Sequence, residues 1–331
     1  MRAWVLTDGA PDREEACLGV AEAVAERIER RRVAPRAPWR WLAPWGPLDP
    51  RDAPERGSRL ILPAQGAAWP DLVIGSGRIA APYLARIKKA SGGGVVTVFI
   101  GDRVGRFSPD LVVAPAGGRA PAHAVRTRTW PSRVNALRLA AARGAPPLLP
   151  PELPGPRVGV LIDAPLVAED AARLVAGLRR LREQGAALSV RPPAGAPEAL
   201  LLALAGVAHY LWAQDRPDPY MSVLGQSEAL VVTAQSTRML SDAVVTGAPV
   251  LTFLPQGAPR AVRRVLEALA AQGLTRPFTG ELDAYAYAPP DSTREVAHAI
   301  HALVTTRAAL RKERVRRAPA RTRETNGPSS R

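Results

Sequence analysis

Short apolar segments that alternate with helical patterns constrain this fold more than any other feature of the sequence. Runs such as DLVIGSG, VVTVFIGD, RVGVLID and ALVVTA are each followed by a helical pattern or a loop. They are apolar on both faces, which is typical of strands in a parallel sheet that helices cover on both sides. The sequence therefore predicts an α/β fold made of doubly wound, Rossmann-like layers.

A stretch rich in proline and glycine, at residues 144–156, interrupts this alternation before it restarts. The 331 residues are enough for two domains of ordinary size. We predict a Rossmann-like domain over residues 1–150 and a second one over 151–306, facing each other across a cleft. A basic, disordered tail is expected over 307–331. The preceding helix is predicted to begin with a capping box at Ser292.

The basic excess of the chain is unevenly distributed. Residues 1–156 carry 23 basic and 14 acidic residues, residues 157–306 carry 13 and 14, and residues 307–331 carry nine and two. The excess is interpreted either as a solvated surface or as a contact with an anionic membrane or a nucleic acid. Because the tail has no aromatic residue to stack on bases, nucleic acid is the less favoured partner.

One cysteine, Cys17, excludes intrachain disulfides and predicts a reducing compartment. The first residues, MRAWVLTDG, have the pattern of a strand, so we expect no signal peptide. No apolar run reaches the roughly 20 residues of a membrane span. The expected location is the cytoplasm, with peripheral attachment to the inner membrane as an option. His298 and His301 have no further ligand at metal spacing, so no metal site is predicted.

Residues 231–253, VVTAQSTRMLSDAVVTGAPVLTF, predict a buried strand, a polar loop, a short helix and a second strand. Ser236 is expected to cap the helix, so that the amides of Ser236 and Thr237 point into the cleft between the domains. Asp242 could accept hydrogen bonds from ribose hydroxyls. Gly247 is expected to end the helix.

A second loop of the same kind follows the strand DLVIGSG. Gly75, Gly77 and Ala80 formally match G-x-G-x-x-A, and Asp102 ends the next strand, as in a dinucleotide-binding fingerprint. A nicotinamide-dependent enzyme is therefore a weaker alternative. The loop also fits an anion site backed by Arg78, or only a tight turn.

Candidate catalytic groups are few. Asp8 ends the first strand, where it could serve as a base or could form an Asp-Gly turn. His123 lies in a loop of the first half and is either a base or a surface residue. Tyr220, after an Asp-Pro turn, could stack on a nucleotide base.

Several stretches together resemble the mitochondrial-fission (elongated-mitochondria) family, a GT-B-like group that is abundant in bacteria. They run through most of residues 3–304 and include VLTDG, CLGVAEA, DLVIGSGR, DLVVAP, VVTAQSTRMLSDAVVTGAPV, QGLTRPF and YAYAPPDSTREVA. The segment from 231 to 253 is also similar to the donor half of two-domain nucleotide-sugar glycosyltransferases.

The resemblance implies two domains in a GT-B arrangement, with a nucleotide-sugar donor in the second and an acceptor, an envelope glycan or lipid, in the first. No cofactor is implied other than the nucleotide sugar as co-substrate. Carried over by position, the donor contacts would be Ser236, Thr237, Ser241 and Asp242. The facing wall would consist of Gly75, Ser76, Gly77 and Arg78.

The chain also departs from the family pattern. Gln235 stands where the family usually has Asp, and Asp242 where it has Glu. Asp163-Ala164 replaces a usual Gly-Gly. Such departures suggest a divergent or inactive member. The alternative function is therefore a catalytically degenerate scaffold that contacts a protein partner through an exposed aromatic segment, Trp39, Trp41 and Trp45, and through the tail.

Overall fold

The computed structural model describes residues 1–101, 105–115, 121–122 and 124–317, with side chains up to residue 309. The elements of the first half are β1 (Arg2–Thr7), α1 (Pro11–Val24), β2 (Arg27–Arg32), α2 (Trp39–Leu42), β3 (Leu72–Ser76), α3 (Ala81–Ala90), β4 (Val96–Ile100), β5 (Leu111–Ala114), β6 (Val125–Arg126) and α4 (Ala136–Arg143). Between α2 and β3 lie two turns of 3-10 helix, Pro50–Asp52 and Pro54–Arg56.

The second half repeats this plan. Its elements are β7 (Arg157–Leu161), α5 (Ala168–Glu183), β8 (Ala187–Arg191), α6 (Glu198–Ala205), β9 (Tyr210–Leu211), α7 (Tyr220–Gln226), β10 (Ala229–Thr233), α8 (Thr237–Val245), β11 (Val250–Phe253), α9 (Arg260–Ala271), β12 (Arg276–Pro277) and α10 (Ser292–Arg317). The helix after β7 ends before Gly185, whose φ of +91° favours glycine.

Over the described residues, the strands form two six-stranded sheets, in the orders β2-β1-β3-β4-β5-β6 and β12-β11-β10-β7-β8-β9. Every strand pair in both sheets is parallel. These two sheets with their helices confirm the predicted α/β fold. We call the residues around the first sheet the first lobe and those around the second sheet the second lobe.

Each sheet is covered on both faces, which explains why its inner strands are mostly apolar. In β1, Ala3 and Val5 pack with α1 and α10 on one face. Trp4 and Leu6, which alternate with them, pack with α3 on the other face. Cys17 is fully buried in the first of these clusters. The side chains of the central strand β10 alternate in the same way: one set packs with α5 and α6, and the other set packs with α7, α8 and α9.

The sequence pattern is wrong about the end of the first helix. The pattern EEACLGVAEAVAERIERR predicts helix over residues 14–31, whereas α1 ends at Val24 and residues 27–32 form β2. The sequence of β2, RIERRR, is too charged to be recognised as a strand. Edge strands tolerate such charge, because one side is solvated and charge blocks pairing with other chains.

The last helix also differs from expectation at its start. Asp291 Oδ1 accepts the Arg294 amide at 3.0 Å and so caps α10, whereas Ser292 Oγ accepts the Thr129 amide at 3.1 Å. The predicted capping box is therefore absent from this end of α10, since its serine accepts from the segment that follows β6. The helix continues through Arg317, well into the segment that was expected to be tail.

Two segments pack across the division of the sequence near residue 150. Leu139 of α4 belongs to the core of the second lobe, and α4 lies against α7. Val296 and Ile300 of α10 belong to the core of the first lobe, against α1. The division of the chain into domains at residues 150 and 306 stays a prediction. In the packing, each lobe is completed by a helix from the other side of that division.

Candidate functional site

The polar loop after β10 leads into a capped helix. Ser236 is the N-cap of α8, and its Oγ accepts a hydrogen bond of 3.1 Å from the Met239 amide. Met239 and Leu240 are fully buried and fix the helix against the sheet. Because the first N–H groups of a helix have no partner within it, α8 presents free amides and the positive end of its dipole here. The predicted cap is confirmed, and Gly247, at φ +79°, follows the last turn as expected.

This end of α8 lies against the first lobe. Arg238 Nε is 3.4 Å from Oδ1 of Asp12, which is in the first turn of α1. One turn further along α8, Ser241 Oγ accepts a hydrogen bond of 3.0 Å from the Trp130 amide. The loops that follow β1 and β10 therefore face each other. We call the space between residues 8–13 and residues 234–238 the cleft.

Asp242 lies behind the opening of the cleft, in contact with two other side chains. Its Oδ2 accepts a hydrogen bond of 2.8 Å from the Tyr220 hydroxyl and is 3.6 Å from Arg238 Nη1. Burial raises the pKa of Asp242 to about 6, and the Arg238 charge counteracts part of this rise. Its Oδ1 is buried and makes no hydrogen bond to any described residue.

The predicted donor contacts fall into two groups. Ser236 and Thr237 lie at the amide end of α8, on the cleft. Ser241 and Asp242 are 0% and 1% exposed, and both are engaged in contacts within the protein. Their place behind the surface, rather than on it, was not foreseen from the sequence. Tyr220 is partly buried with its hydroxyl engaged, so only its ring remains for stacking.

Three arginines stand around the cleft, each beside a carboxylate. Arg13 pairs with Asp8, and Arg238 with Asp12. Arg191, at the end of β8, makes two hydrogen bonds to Asp218, of 2.9 and 2.6 Å. The guanidinium groups of Arg191 and Arg238 lie 5.6 and 5.3 Å from the centre of the Tyr220 ring, within cation–π range.

Asp163 follows β7 and lies near the cleft. Unlike the other acidic side chains named here, it forms no ion pair with a described basic residue. Burial raises its pKa, the negative charge of Asp12 raises it further, and Arg238 and Arg191 oppose both effects. By contrast, burial pushes the pKa of Asp218 up, but the hydrogen bond and charge of Arg191 outweigh burial and lower it. Asp163 is thus a carboxyl group beside the cleft whose pKa is raised, mainly by burial.

The predicted facing wall is largely occupied by packing. A Cβ on Gly75 would lie 2.4 Å from the Leu84 side chain, so this glycine allows α3 to approach β3. Ser76 is buried and donates a hydrogen bond of 2.7 Å to the carbonyl of Ile100. Gly77, at φ +90°, lies beside the Arg13 side chain. Where a dinucleotide-binding loop would hold its pyrophosphate, Gly77 is thus covered by Arg13. Asp102, the remaining part of that fingerprint, lies outside the described residues.

Arg78 is turned away from the cleft. Its Nη1 donates to the carbonyls of Arg40 and Ala43, at 3.2 and 2.9 Å. It therefore holds the segment around α2 in place, and an anion-binding role would require it to leave these carbonyls.

Of the two predicted catalytic residues, Asp8 and His123, the structure describes only Asp8. Asp8 Oδ1 accepts the Ala10 amide at 3.3 Å, as in an Asp-Gly turn, and Oδ2 accepts from Arg13. The turn is observed, and the carboxylate still borders the cleft. His123 lies outside the described residues.

Sequence reasoning did not single out Arg13 and Arg238. A signal for Arg238 was available, because it occupies the first turn of the helix that follows the polar loop. Gln235 and Ala164, two of the departures from the family pattern, also contact each other: Gln235 Oε1 accepts the Ala164 amide at 3.2 Å. Gln235 Nε2 donates to the Pro165 carbonyl at 3.3 Å. These substitutions thus tie the loop after β7 to the loop after β10.

The sequence of this chain matches a known family over most of its length. Residues 11–304 match the family described as mitochondrial fission ELM1. The chain belongs to this family. The mitochondrial fission protein ELM1 of Arabidopsis thaliana is 34% identical over 91 residues, which are 27% of this chain and 21% of that protein. The match thus spans about a fifth of the length of that curated relative.

The arrangement of this family member is similar to solved structures despite low sequence identity. MurG of Acinetobacter baumannii has a TM-score of 0.54 at 13% identity, with 91% of this chain and 99% of that chain covered. The glycotransferase of kitacinnamycin has a TM-score of 0.51 at 12% identity, with 92% and 93% covered. These likenesses, over nearly the whole chain, show that the fold is GT-B.

Two further findings concern the part of the chain that the structure describes. Within it, no helix combines the length and apolarity needed to cross a bilayer. Nor do these residues contain a group of three or more histidine, cysteine, aspartate or glutamate side chains placed to hold a metal ion.

Proposed function

We propose that this protein binds a nucleoside diphosphate sugar in the cleft, with the diphosphate at the amide end of α8, and transfers the sugar to an acceptor held by the first lobe. The observation that carries the proposal is the position of Ser236, Thr237 and Arg238 on α8, opposite Asp12 of the other lobe. A capped helix N-terminus with an adjacent arginine is a favourable site for a phosphate group.

The charges around the cleft would let Arg238 exchange a carboxylate partner for a phosphate. Arg238 is held by the carboxylates of Asp12 and Asp242. A diphosphate at the N-terminus of α8 would bring two negative charges to Arg238, and would take the place of Asp12. Nucleotide binding would then change the contact between the lobes, because this ion pair joins them.

The transfer would depend on positioning and electrostatics, without a metal. As the acceptor oxygen bonds to the anomeric carbon, the bond to the diphosphate breaks and negative charge collects on the leaving group. The free amides of α8 and Arg238 would stabilise this charge. The proton of the acceptor hydroxyl would go to a carboxylate of the cleft, for which Asp163 and Asp8 are the candidates. The raised pKa of Asp163 favours it as the base.

The acceptor proposed here is an envelope glycan or lipid at the cytoplasmic face of the inner membrane. The net basic charge of residues 1–156 supports an anionic surface as partner. A nucleic acid is the less favoured partner, as argued above for the tail.

A second candidate is a scaffold that keeps the fold without turnover. Two observations favour it: Ser241 and Asp242 are withdrawn from the cleft, and Gln235 ties the two loops that border it. Such a protein would present a surface to a protein partner rather than a site to a donor.

Thermal-shift titration of the full chain with UDP, TDP, GDP and ADP sugars separates the two candidates. We expect at least one of them to raise the melting temperature of the wild type, since a ligand that binds only the folded state stabilises it. Arg238→Met should abolish the shift, and Arg264→Met, a matched change of an exposed arginine on α9, should preserve it. If no nucleotide sugar stabilises the wild type, the transferase proposal is wrong and the scaffold remains.

A further inference from the structure

An exposed aromatic surface lies outside the cleft, on the first lobe. Trp41 is 71% exposed, Trp45 64% and Leu42 47%. Amides of Trp45 and Gly46 both bond to the Leu42 carbonyl, at 3.0 and 2.8 Å, so these residues form one continuous turn. We call Trp41, Leu42 and Trp45 the aromatic knob. Large side chains exposed in this way are uncommon in a protein that keeps the surface in water.

The aromatic knob is held rigidly from below. Arg78 binds the carbonyls of Arg40 and Ala43, as described above. Asp49, which is fully buried, accepts hydrogen bonds from the amides of Arg36 and Arg51, both at 3.1 Å, and from their guanidinium groups. These hydrogen bonds, with Arg51 first, hold the pKa of Asp49 well below its usual range. Since the base is fixed, the exposure of the knob is a feature of the fold.

Positive charge lies on one side of the aromatic knob, beside Trp45. A groove of about 300 Å³ beside Trp45 is lined by Arg86, Lys89 and Arg106 together with Pro44 and Phe107. Arg86 is paired with Glu55, whereas Lys89 and Arg106 are exposed and in no ion pair with another described residue. The groove therefore offers cations beside an apolar wall.

We propose that the aromatic knob and its cationic groove dock the protein on an anionic lipid bilayer. Tryptophan is enriched at the membrane–water interface, where its ring lies among the headgroups, and Lys or Arg beside it meets lipid phosphates. The charge complementarity favours lipid over a protein partner: Lys89 and Arg106 beside the knob form no ion pair with a described residue, and residues 1–156, which include the knob, are net basic. Contact would be peripheral, with two indole rings and a leucine in the headgroup layer.

The knob also lies on the same edge of the first sheet as the cleft. Arg78, which binds its carbonyls, follows β3 directly, and the carboxyl ends of β1 and β3 are neighbours in the sheet. The anchor of the knob and the loop after β1 therefore lie at the same edge of the first sheet. This inference goes beyond the proposed transferase, because lipid binding by the knob does not require a nucleotide.

Vesicle cosedimentation of the full chain tests the inference. The probes are vesicles of pure phosphatidylcholine and vesicles of phosphatidylcholine mixed with phosphatidylglycerol. We expect the wild type to prefer the anionic vesicles, and the double variant Trp41→Ser with Trp45→Ser to bind them about tenfold or more weakly, because two large apolar side chains are lost. The wild type should also show a blue shift of tryptophan fluorescence that the double variant lacks.

The matched control is Val167→Ser with Leu202→Ser, which removes two apolar side chains of the second lobe that are 59% and 67% exposed. This control should bind like the wild type. Both double variants should keep the thermal stability of the wild type and its response to nucleotide sugars, which separates failure of docking from failure of the cleft. The inference is overturned if the tryptophan variant binds anionic vesicles as the wild type does, or if the wild type does not prefer them. Unchanged lipid binding would leave the knob as a surface for a protein.

Discussion

Arg238 of α8 and Asp12 of α1 form an ion pair between the two lobes, with 3.4 Å between Nε and Oδ1. Their side chains are 25% and 45% exposed, so the pair contributes little to stability, about 1 kcal/mol at most. Its importance is positional. The ion pair shows that the amide end of α8 and the start of α1 are close enough to contact one ligand.

Arg238→Met is expected to weaken nucleotide-sugar binding. A hydrogen bond to a charged group contributes about 1.5–3 kcal/mol, which corresponds to a Kd about 10 to 100 times higher. Isothermal titration with the best nucleotide sugar measures this change. Arg264→Met on α9 should leave the Kd within about twofold of the wild type. Equal affinities for the two variants would place the diphosphate elsewhere.

The helix caps offer a second test, because two of them are chemically similar. Ser236→Ala and Asn135→Ala each remove the side chain that accepts the amide of the third helical residue, at 3.1 and 2.9 Å. Each should lower the free energy of unfolding by about 1 kcal/mol. Only Ser236→Ala should also raise the Kd for the nucleotide sugar, since α4 does not border the cleft. A raised Kd in both variants would indicate a general loss of stability instead.

The raised pKa of Asp242 predicts that the free energy of unfolding depends on pH. Its pKa is about 6 in the folded protein, above its value of about 3.9 in the unfolded chain, so the folded state holds this proton more tightly. The stabilisation is fully present below about pH 4 and is lost as the pH rises through about 6. Asp242→Asn lacks this titration. Urea unfolding should therefore show the variant gaining up to about 3 kcal/mol relative to the wild type between pH 4 and pH 7. A difference that does not change with pH would contradict the buried position of this carboxyl group.

Arg78→Met tests whether this arginine anchors the aromatic knob. Loss of its hydrogen bonds should cost about 1 kcal/mol of local stability and so raise the cleavage rate of chymotrypsin at Trp41 and Trp45 about fivefold. Limited proteolysis followed by mass spectrometry measures these two sites. Arg56→Met, a change of a nearby exposed arginine, is the control, and chymotrypsin should cleave it at the same rate as the wild type. Equal cleavage of both variants would show that other contacts hold the knob.

Much of the fold is predictable because its strands are buried on both faces. β3, β4 and β10 are buried at every position, so each reads as a mostly apolar run without polar alternation. β2 was missed for the opposite reason: it lies at an edge, and its arginines follow no strand pattern. Its place is set by pairing with β1, a contact distant from any local preference.

The candidate site was predictable only in part. The cap at Ser236 follows from local chemistry, in which a serine after a strand accepts an amide of the next helix. The burial of Ser241 and Asp242 depends on Trp130 and Tyr220, which lie 111 and 22 residues away along the chain. Arg78 reads locally as a cation at a helix N-terminus, yet its partners are carbonyls of residues 40 and 43, in a segment without periodicity. Contacts of this range leave no signal in a single sequence.

Hydrogen exchange of the backbone amides at residues 236–239 tests the central claim most directly. It would be measured on the full chain with and without saturating UDP, TDP, GDP or ADP. The account predicts that at least one nucleoside diphosphate slows exchange at these amides, and that Arg238→Met removes the protection. If none of them slows exchange there, or if protection falls only on the loop around Gly77, the amide end of α8 is not a diphosphate site.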